Sequence, residues 1–243
     1  MRARRVGVVV AAAIAATLLV ASCQTTPPVV YTPPECPYAD NVIQFNGDSL
    51  GIHIPRYISA PPRTLANRSE PRSGFTYELA YEPERDLPPV PSIGESVKQW
   101  IDECGAPNLV IIQGGINDLA GAGASAAVIR AAVMELSDWL EARGIPTLWV
   151  AVHPLPVVGT YMWTQPQRQA FNTWLESGEV WGSTVNCSDA MSDPNAPDTM
   201  SPAYYWAVDI FGTKDGVHPN QEGYLAFGNC VAAAIPAALG EPG

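Results

Sequence analysis

Short apolar runs bounded by turn residues alternate with longer stretches of helical period between residues 41 and 238. "NVIQFN" (41–46), "NLVIIQ" (108–113) and "TLWVAV" (147–152) are the clearest runs, with "RTLANR" (63–68) and "STVNC" (183–187) as weaker companions. Such runs suit strands buried on both faces. Between them, Val97, Ile101 and Cys104 share one helical face, and Ile129, Val133, Leu136 and Leu140 share another, stopped by Gly144. "TQPQRQAFNTWL" (164–175) opens with Thr164 and Pro166 and turns Phe171, Trp174 and Leu175 inward. Tyr224, Phe227, Val231 and Ile235 repeat at helical spacing near the end. Strands alternating with helices of this length predict an α/β chain of β-α-β units, a three-layer sandwich whose parallel sheet is covered on both faces. Ligands on such sheets sit at the carboxyl ends of the strands.

The first residues break this pattern. "MRARRVGVVVAAAIAATLLVASC" has a basic start, an apolar run and small residues, as an export signal does. The run is short for a membrane span. "Val20-Ala21-Ser22-Cys23" resembles the lipobox of bacterial lipoprotein precursors, which implies a signal peptide over 1–22 and lipidation of Cys23. A Pro-rich tether follows over 23–35; its 12 residues after Cys23 span about 40 Å as a semi-rigid spacer at ~3.1 Å each. The domain proper is expected over 36–243, with no internal repeat.

Composition narrows the function. The 243 residues are 47% hydrophobic and 15% charged, with a formal net charge of −11, which argues against a nucleic-acid partner. Losing Arg2, Arg4 and Arg5 with the signal leaves 10 basic and 24 acidic residues, so acyl chains rather than a basic patch would hold the protein to a membrane. With Cys23 consumed by lipid, Cys36, Cys104, Cys187 and Cys230 form an even set. In an exported protein this predicts two disulfides, with three pairings open. Their wide spacing, without C-x-x-C or paired histidines, does not suit a metal site.

Polar residues gather where the fold would place a site. Gly47-Asp48-Ser49-Leu50 follows the first strand, Gly114-Gly115-Ile116-Asn117-Asp118 follows "NLVIIQ", and Asp215-Gly216-Val217-His218-Pro219 precedes the last helix. A serine hydroxyl needs a base to act as a nucleophile. At the start of a helix, the Ser49 N–H would face an oxyanion; the plainer reading of Ser49 is an N-cap. Pro219 keeps His218 out of helical geometry and suits the first helical position itself, and Asp215 stands one turn back to orient the imidazole. Asn117 offers a neutral donor, and Asp118 reads as a loop organiser. His53, expected on the helix begun by Ser49, and His153 have no evident carboxylate partner and read as structural. Tyr161 with Trp163, and Tyr204 and Tyr205 with Trp206, either flank the mouth as sugar platforms or pack loops over the core.

In order and spacing, G-D-S-L, G-x-N-D and D-x-x-H-P resemble the signature blocks of the SGNH (GDSL) hydrolases. The segments "RQAFNTWL", "CSDAMSDP" and "DGVHPNQEGYLAF" extend the likeness. The resemblance implies a flavodoxin-like fold with a five-stranded parallel sheet and ester hydrolysis through an acyl-serine. By it, Ser49 is the nucleophile, His218 the base, Asp215 its orienter, and Asn117 and the Ser49 N–H are oxyanion donors. The family's fourth signature residue is a glycine after the second strand. Gly74 and Gly94 are its two candidates, and Gly74 is preferred because the family keeps this glycine near the strand end. No metal or organic cofactor is needed, and no obligate protein partner is evident.

The export signal points to an ester substrate outside the cytoplasm. The absence of a long apolar lid favours short-chain acyl esters, acylated envelope glycans and lipids included. The competing expectation is a non-catalytic, glycan-binding envelope lipoprotein of the same fold. A transport solute-binding protein would need two lobes, and this chain has room for one.

Overall fold

In the computed structural model, strand β1 (Val42–Gly47) is buried along its whole length and is followed in sequence by edge strand β2 (Thr64–Asn67). Helix α1 (Ile93–Cys104) leads to β3 (Leu109–Gln113), and α2 (Ala126–Glu141) to β4 (Thr147–Val150). A short β5 (Leu155–Pro156) precedes α3 (Gln165–Leu175) and β6 (Ser183–Val185). Then come α4 (Ser188–Met191), β7 (Ser192–Asp193), β8 (Ala196–Met200) and the closing helix α5 (Gln221–Ala238). The structure describes residues 36, 41–58, 63–76, 89–156, 162–205 and 217–241. The expected signal segment, Cys23, the tether, Tyr161, Trp206 and Asp215 lie outside the described residues.

The main sheet has the order β2-β1-β3-β4-β6 with every neighbouring pair parallel, so all five expected strands are present. Side chains alternate across it. Val42, Val110, Ile112 and Trp149 pack with α1, α2 and α3 on one face. Ile43, Phe45, Ile111 and Leu148 pack with Tyr224, Phe227, Val231 and Ile235 of α5 on the other. This is the predicted three-layer arrangement. Local signals start the helices: Ser92 and Glu95 close a capping box on α1, and the Asn220 side chain accepts from the Gly223 N–H at α5. From β1 the chain goes to β2 on one side and to β3 on the other. That reversal opens a crevice above the carboxyl ends of β1 and β3. Gly47 ends β1 opposite Gln113, where a Cβ would come within 2.7 Å of the Gln113 carbonyl oxygen.

Three local expectations change. No α-helix begins at Ser49. Residues 48–53 form turns and a single 3-10 turn follows over Ile54–Tyr57, because Pro55 has no N–H to give the Gly51 carbonyl. His53 therefore precedes the 3-10 turn instead of riding a helix. Pro219 falls one residue before the Asn220 cap and makes an isolated bridge with Tyr205, so it is outside the helix rather than its first residue. A second sheet of order β5-β8-β7 is added, with Pro156 and Pro197 among its strand residues.

The cysteines pair as Cys36–Cys104 and Cys187–Cys230, with Cα atoms 5.3 and 5.8 Å apart. The second bridge joins the β6–α4 junction to α5 across 43 residues. Closing a loop of that size constrains the unfolded chain by about 4 kcal/mol. Among the described residues no helix is long and apolar enough to cross a membrane.

Candidate active site

Three segments converge above β1 and β3. The first is the turn after β1. Asp48 is fully buried, and its Oδ1 accepts from the Leu50 N–H at 3.0 Å, an Asx turn that fixes the backbone around Ser49. The second is the approach to α5. Asn220 N–H donates to the Tyr204 carbonyl and its side-chain amide to the Ala203 carbonyl, both at 2.8 Å. With the Pro219–Tyr205 bridge, these contacts pin His218 beside the turn. His218 Nε2 stands 2.8 Å from Ser49 Oγ, across 169 residues of sequence.

The third segment is the loop from β2 to Gly74. It leaves along the β1 edge, with Arg68 N–H on the Phe45 carbonyl at 2.7 Å and Glu70 N–H on the Gly47 carbonyl at 2.9 Å. Its far end is held by the turn after β3. Asp118, fully buried, accepts from Phe75 N–H at 2.8 Å and from both Thr76 N–H and Thr76 Oγ1 at 2.6 Å. Asn117 Nδ2 donates to the Ser73 carbonyl at 2.7 Å and to the Pro71 carbonyl at 3.3 Å. Asp118 is thus the loop organiser its position suggested. Asn117 spends its amide hydrogens on the same loop, which its sequence position did not reveal. Gly115 takes φ 112°, a left-handed value that favours glycine, and so turns the chain from β3 into this clamp.

The clamp sets Gly74 between two anchored neighbours, with its carbonyl accepting from Ile93 N–H at 2.9 Å. Among the described residues, neither the Gly74 N–H nor the Ser49 N–H has an acceptor. Gly94 lies elsewhere, in the first turn of α1, where a Cβ would meet Leu136 of α2 at 4.0 Å.

The remaining sequence candidates have other surroundings. The His53 ring packs on Tyr224 with centroids 5.0 Å apart, and burial, then Arg56 and His218, hold its pKa below the ordinary imidazole value. His153 is buried, with Nδ1 2.7 Å from the Pro154 carbonyl oxygen and its ring edge-on to Phe227. Tyr204 and Tyr205 pack against the α5 side of the core, whereas Trp163 is 60% exposed. The structure also reveals a brace that sequence reading missed. Asn172 of α3 holds both the N–H and the carbonyl of Val152, at 3.0 and 2.8 Å. Arg168, buried to a pKa of about 10 against the pull of Asp198, donates to the same carbonyl at 3.0 Å. Among the described residues no three His, Cys, Asp or Glu side chains cluster as metal ligands.

Comparison with known families settles the affiliation. The model of the GDSL-like lipase/acylhydrolase family matches residues 66–226. The chain belongs to this family. The matched stretch starts after Ser49 and spans Gly74, Asn117, Asp215 and His218. Among solved structures, a GDSL-like lipase from Bacteroides thetaiotaomicron is 16% identical with a TM-score of 0.58, covering 82% of this chain and 89% of its own. A carbohydrate acetylesterase family member from Sinorhizobium meliloti is 12% identical with a TM-score of 0.58, covering 82% and 99%. These likenesses establish the GDSL-type α/β fold. A comparison with curated proteins found no match.

Proposed function

We propose that this GDSL-family chain is a serine ester hydrolase acting outside the cytoplasm on short-chain acyl esters. The observation that carries the reading is the 2.8 Å approach of His218 Nε2 to Ser49 Oγ. At that distance the imidazole can take the hydroxyl proton as Oγ attacks an ester carbonyl. The carbonyl π electrons move onto oxygen, and the tetrahedral oxyanion meets the Ser49 and Gly74 N–H groups. Asn117 adds a third donor by turning one amide hydrogen from its longer contact, 3.3 Å to the Pro71 carbonyl. As the intermediate collapses, the C–O bond to the alcohol breaks and His218 gives that alcohol its proton. Water, deprotonated by His218, then attacks the acyl-serine carbonyl; the C–Oγ bond breaks, His218 returns its proton to Ser49 Oγ, and the acid leaves. Asp215, three residues before His218, is assigned to orient the imidazole, as the family likeness implies.

Export and anchoring belong to the same proposal. The leader, the lipobox at Cys23 and the two disulfides support a protein tethered by lipid to the bacterial envelope. Acylated glycans are the favoured substrates within the short-chain class: Trp163 offers an exposed ring just before α3, and one neighbour of the same fold is a carbohydrate acetylesterase family member.

The direct test is a series of p-nitrophenyl esters from acetate to laurate together with an acetylated oligosaccharide. The purified protein is expected to show kcat/KM highest at two to four carbons and lower by roughly 10-fold or more beyond eight. A preference for laurate would overturn the short-chain assignment, and glycan binding without hydrolysis would favour a binding module. Anchoring has a separate readout. In a bacterial host, Cys23→Ser should move the protein from the membrane fraction to the soluble fraction, and unchanged membrane association would remove the lipid from the account.

A further inference from the structure

Asp48 is the residue beside the nucleophile that the reaction above leaves unused. It is 0% exposed, and Oδ1 is committed to the Leu50 N–H at 3.0 Å. Oδ2 has no donor at hydrogen-bonding geometry, although the Gln113 side chain is close enough to favour the charged form slightly. Gln113, itself fully buried, likewise leaves both side-chain polar atoms without a partner. An Asx turn needs one acceptor oxygen, which an asparagine or serine supplies without a charge. Burying a carboxyl with an idle oxygen is costly, so the second oxygen calls for its own account.

We propose that Asp48 is a positioning residue for the Ser49–His218 pair: one carboxyl oxygen aims the hydroxyl, and the other sets a negative charge that favours the imidazolium formed during acyl transfer. The proposal rests on the Ser49–His218 reading. Among the described residues, the titratable groups that act on Asp48 are His218, from the segment before α5, and Asp118, from the turn after β3. His218 favours ionisation of Asp48. Asp118 opposes ionisation, and burial pushes the Asp48 carboxyl up to about 7. Below that pH Asp48 is a neutral acid and lends no charge; above it the carboxylate is present. No proton passes to Asp48 during the cycle. The proton moves from Ser49 Oγ to His218, and Asp48 only weights that transfer.

Asp48→Asn keeps an acceptor for Leu50 N–H and removes the charge. It is expected to lower kcat for p-nitrophenyl acetate on the order of 10-fold with KM within about 2-fold. It should also remove the part of the fall in kcat on acidification that follows protonation of Asp48 at about pH 7. Wild-type kcat and slope in Asp48→Asn would overturn the proposal. A second measurement does not depend on that variant folding. In a Glu70→Gln background, which removes another carboxyl raised by burial, infrared spectra should show a protonated carboxyl band that fades as pH passes about 7. A band that persists above pH 8 would leave Asp48 neutral in the working range and overturn the proposal as firmly. Ser49→Ala separates the two layers. If it still hydrolyses ester at the wild-type rate, the Ser49–His218 reading itself fails; if it is inactive while Asp48→Asn matches wild type, only the Asp48 role fails.

Discussion

Ser49→Ala is expected to lower kcat for p-nitrophenyl acetate by about 10⁴-fold or more while leaving the fold intact. The size follows from what is lost. Without Oγ no acyl-serine forms, and the N–H donors and bound geometry alone give only the residual acceleration seen when a serine triad loses a member. The fold survives because Oγ is half-buried and its hydrogen bond is to His218, a surface-reaching group, so stability should change by under about 1 kcal/mol. Burst kinetics give an independent check. Wild type should release a stoichiometric pulse of p-nitrophenol if deacylation is slow, and the variant should release none. Undiminished turnover by the variant would mean that the hydroxyl is not the nucleophile.

Asp118→Ala is expected to damage both stability and rate. Asp118 gathers three donors, two of them backbone N–H groups of the loop that carries Gly74. Removing the carboxylate strands the buried Phe75 N–H and releases the Thr76 end to solvent, at about 1–3 kcal/mol for the buried donor alone. A total near 3 kcal/mol is expected from urea unfolding. The loop then no longer presents the Gly74 N–H at a fixed place, and loss of one oxyanion donor costs roughly 10²–10³ in kcat. Asp118→Asn retains one acceptor and should fall between. A variant with normal kcat but lower stability would show that the clamp serves the fold and not the chemistry.

Much of the fold is legible from local pattern because burial in a doubly covered sheet is local in sequence. Val42, Ile43 and Phe45, and Leu109 to Ile112, are apolar because both faces of their strands are covered, and Ile129, Val133, Leu136 and Leu140 fall on the one face of α2 that is turned to the core. The β5-β8-β7 sheet is not legible. "DPNAPDTM" is rich in residues that avoid strands, and β8 forms only because β5 and β7 arrive on either side of it. Serine and histidine could be placed at the crevice because strand ends advertise them. The loop from 68 to 76 could not be placed, because its shape is dictated by Asn117 and Asp118, more than forty residues away. The same distance explains Asn117. Sequence suggests what an amide offers, but the Ser73 and Pro71 carbonyls decide where it points.

The Cys36–Cys104 bridge has a mechanical consequence. Cys104 closes α1 at the pole where β3 begins, opposite the crevice, and Cys36 is bonded to it there. A pull on Cys36 therefore passes through a sulfur–sulfur bond into a helix packed along the sheet. Reducing that bond would free Cys36 from α1 at the pole opposite Ser49 and His218, so a thiol reagent should release this attachment without touching the pair.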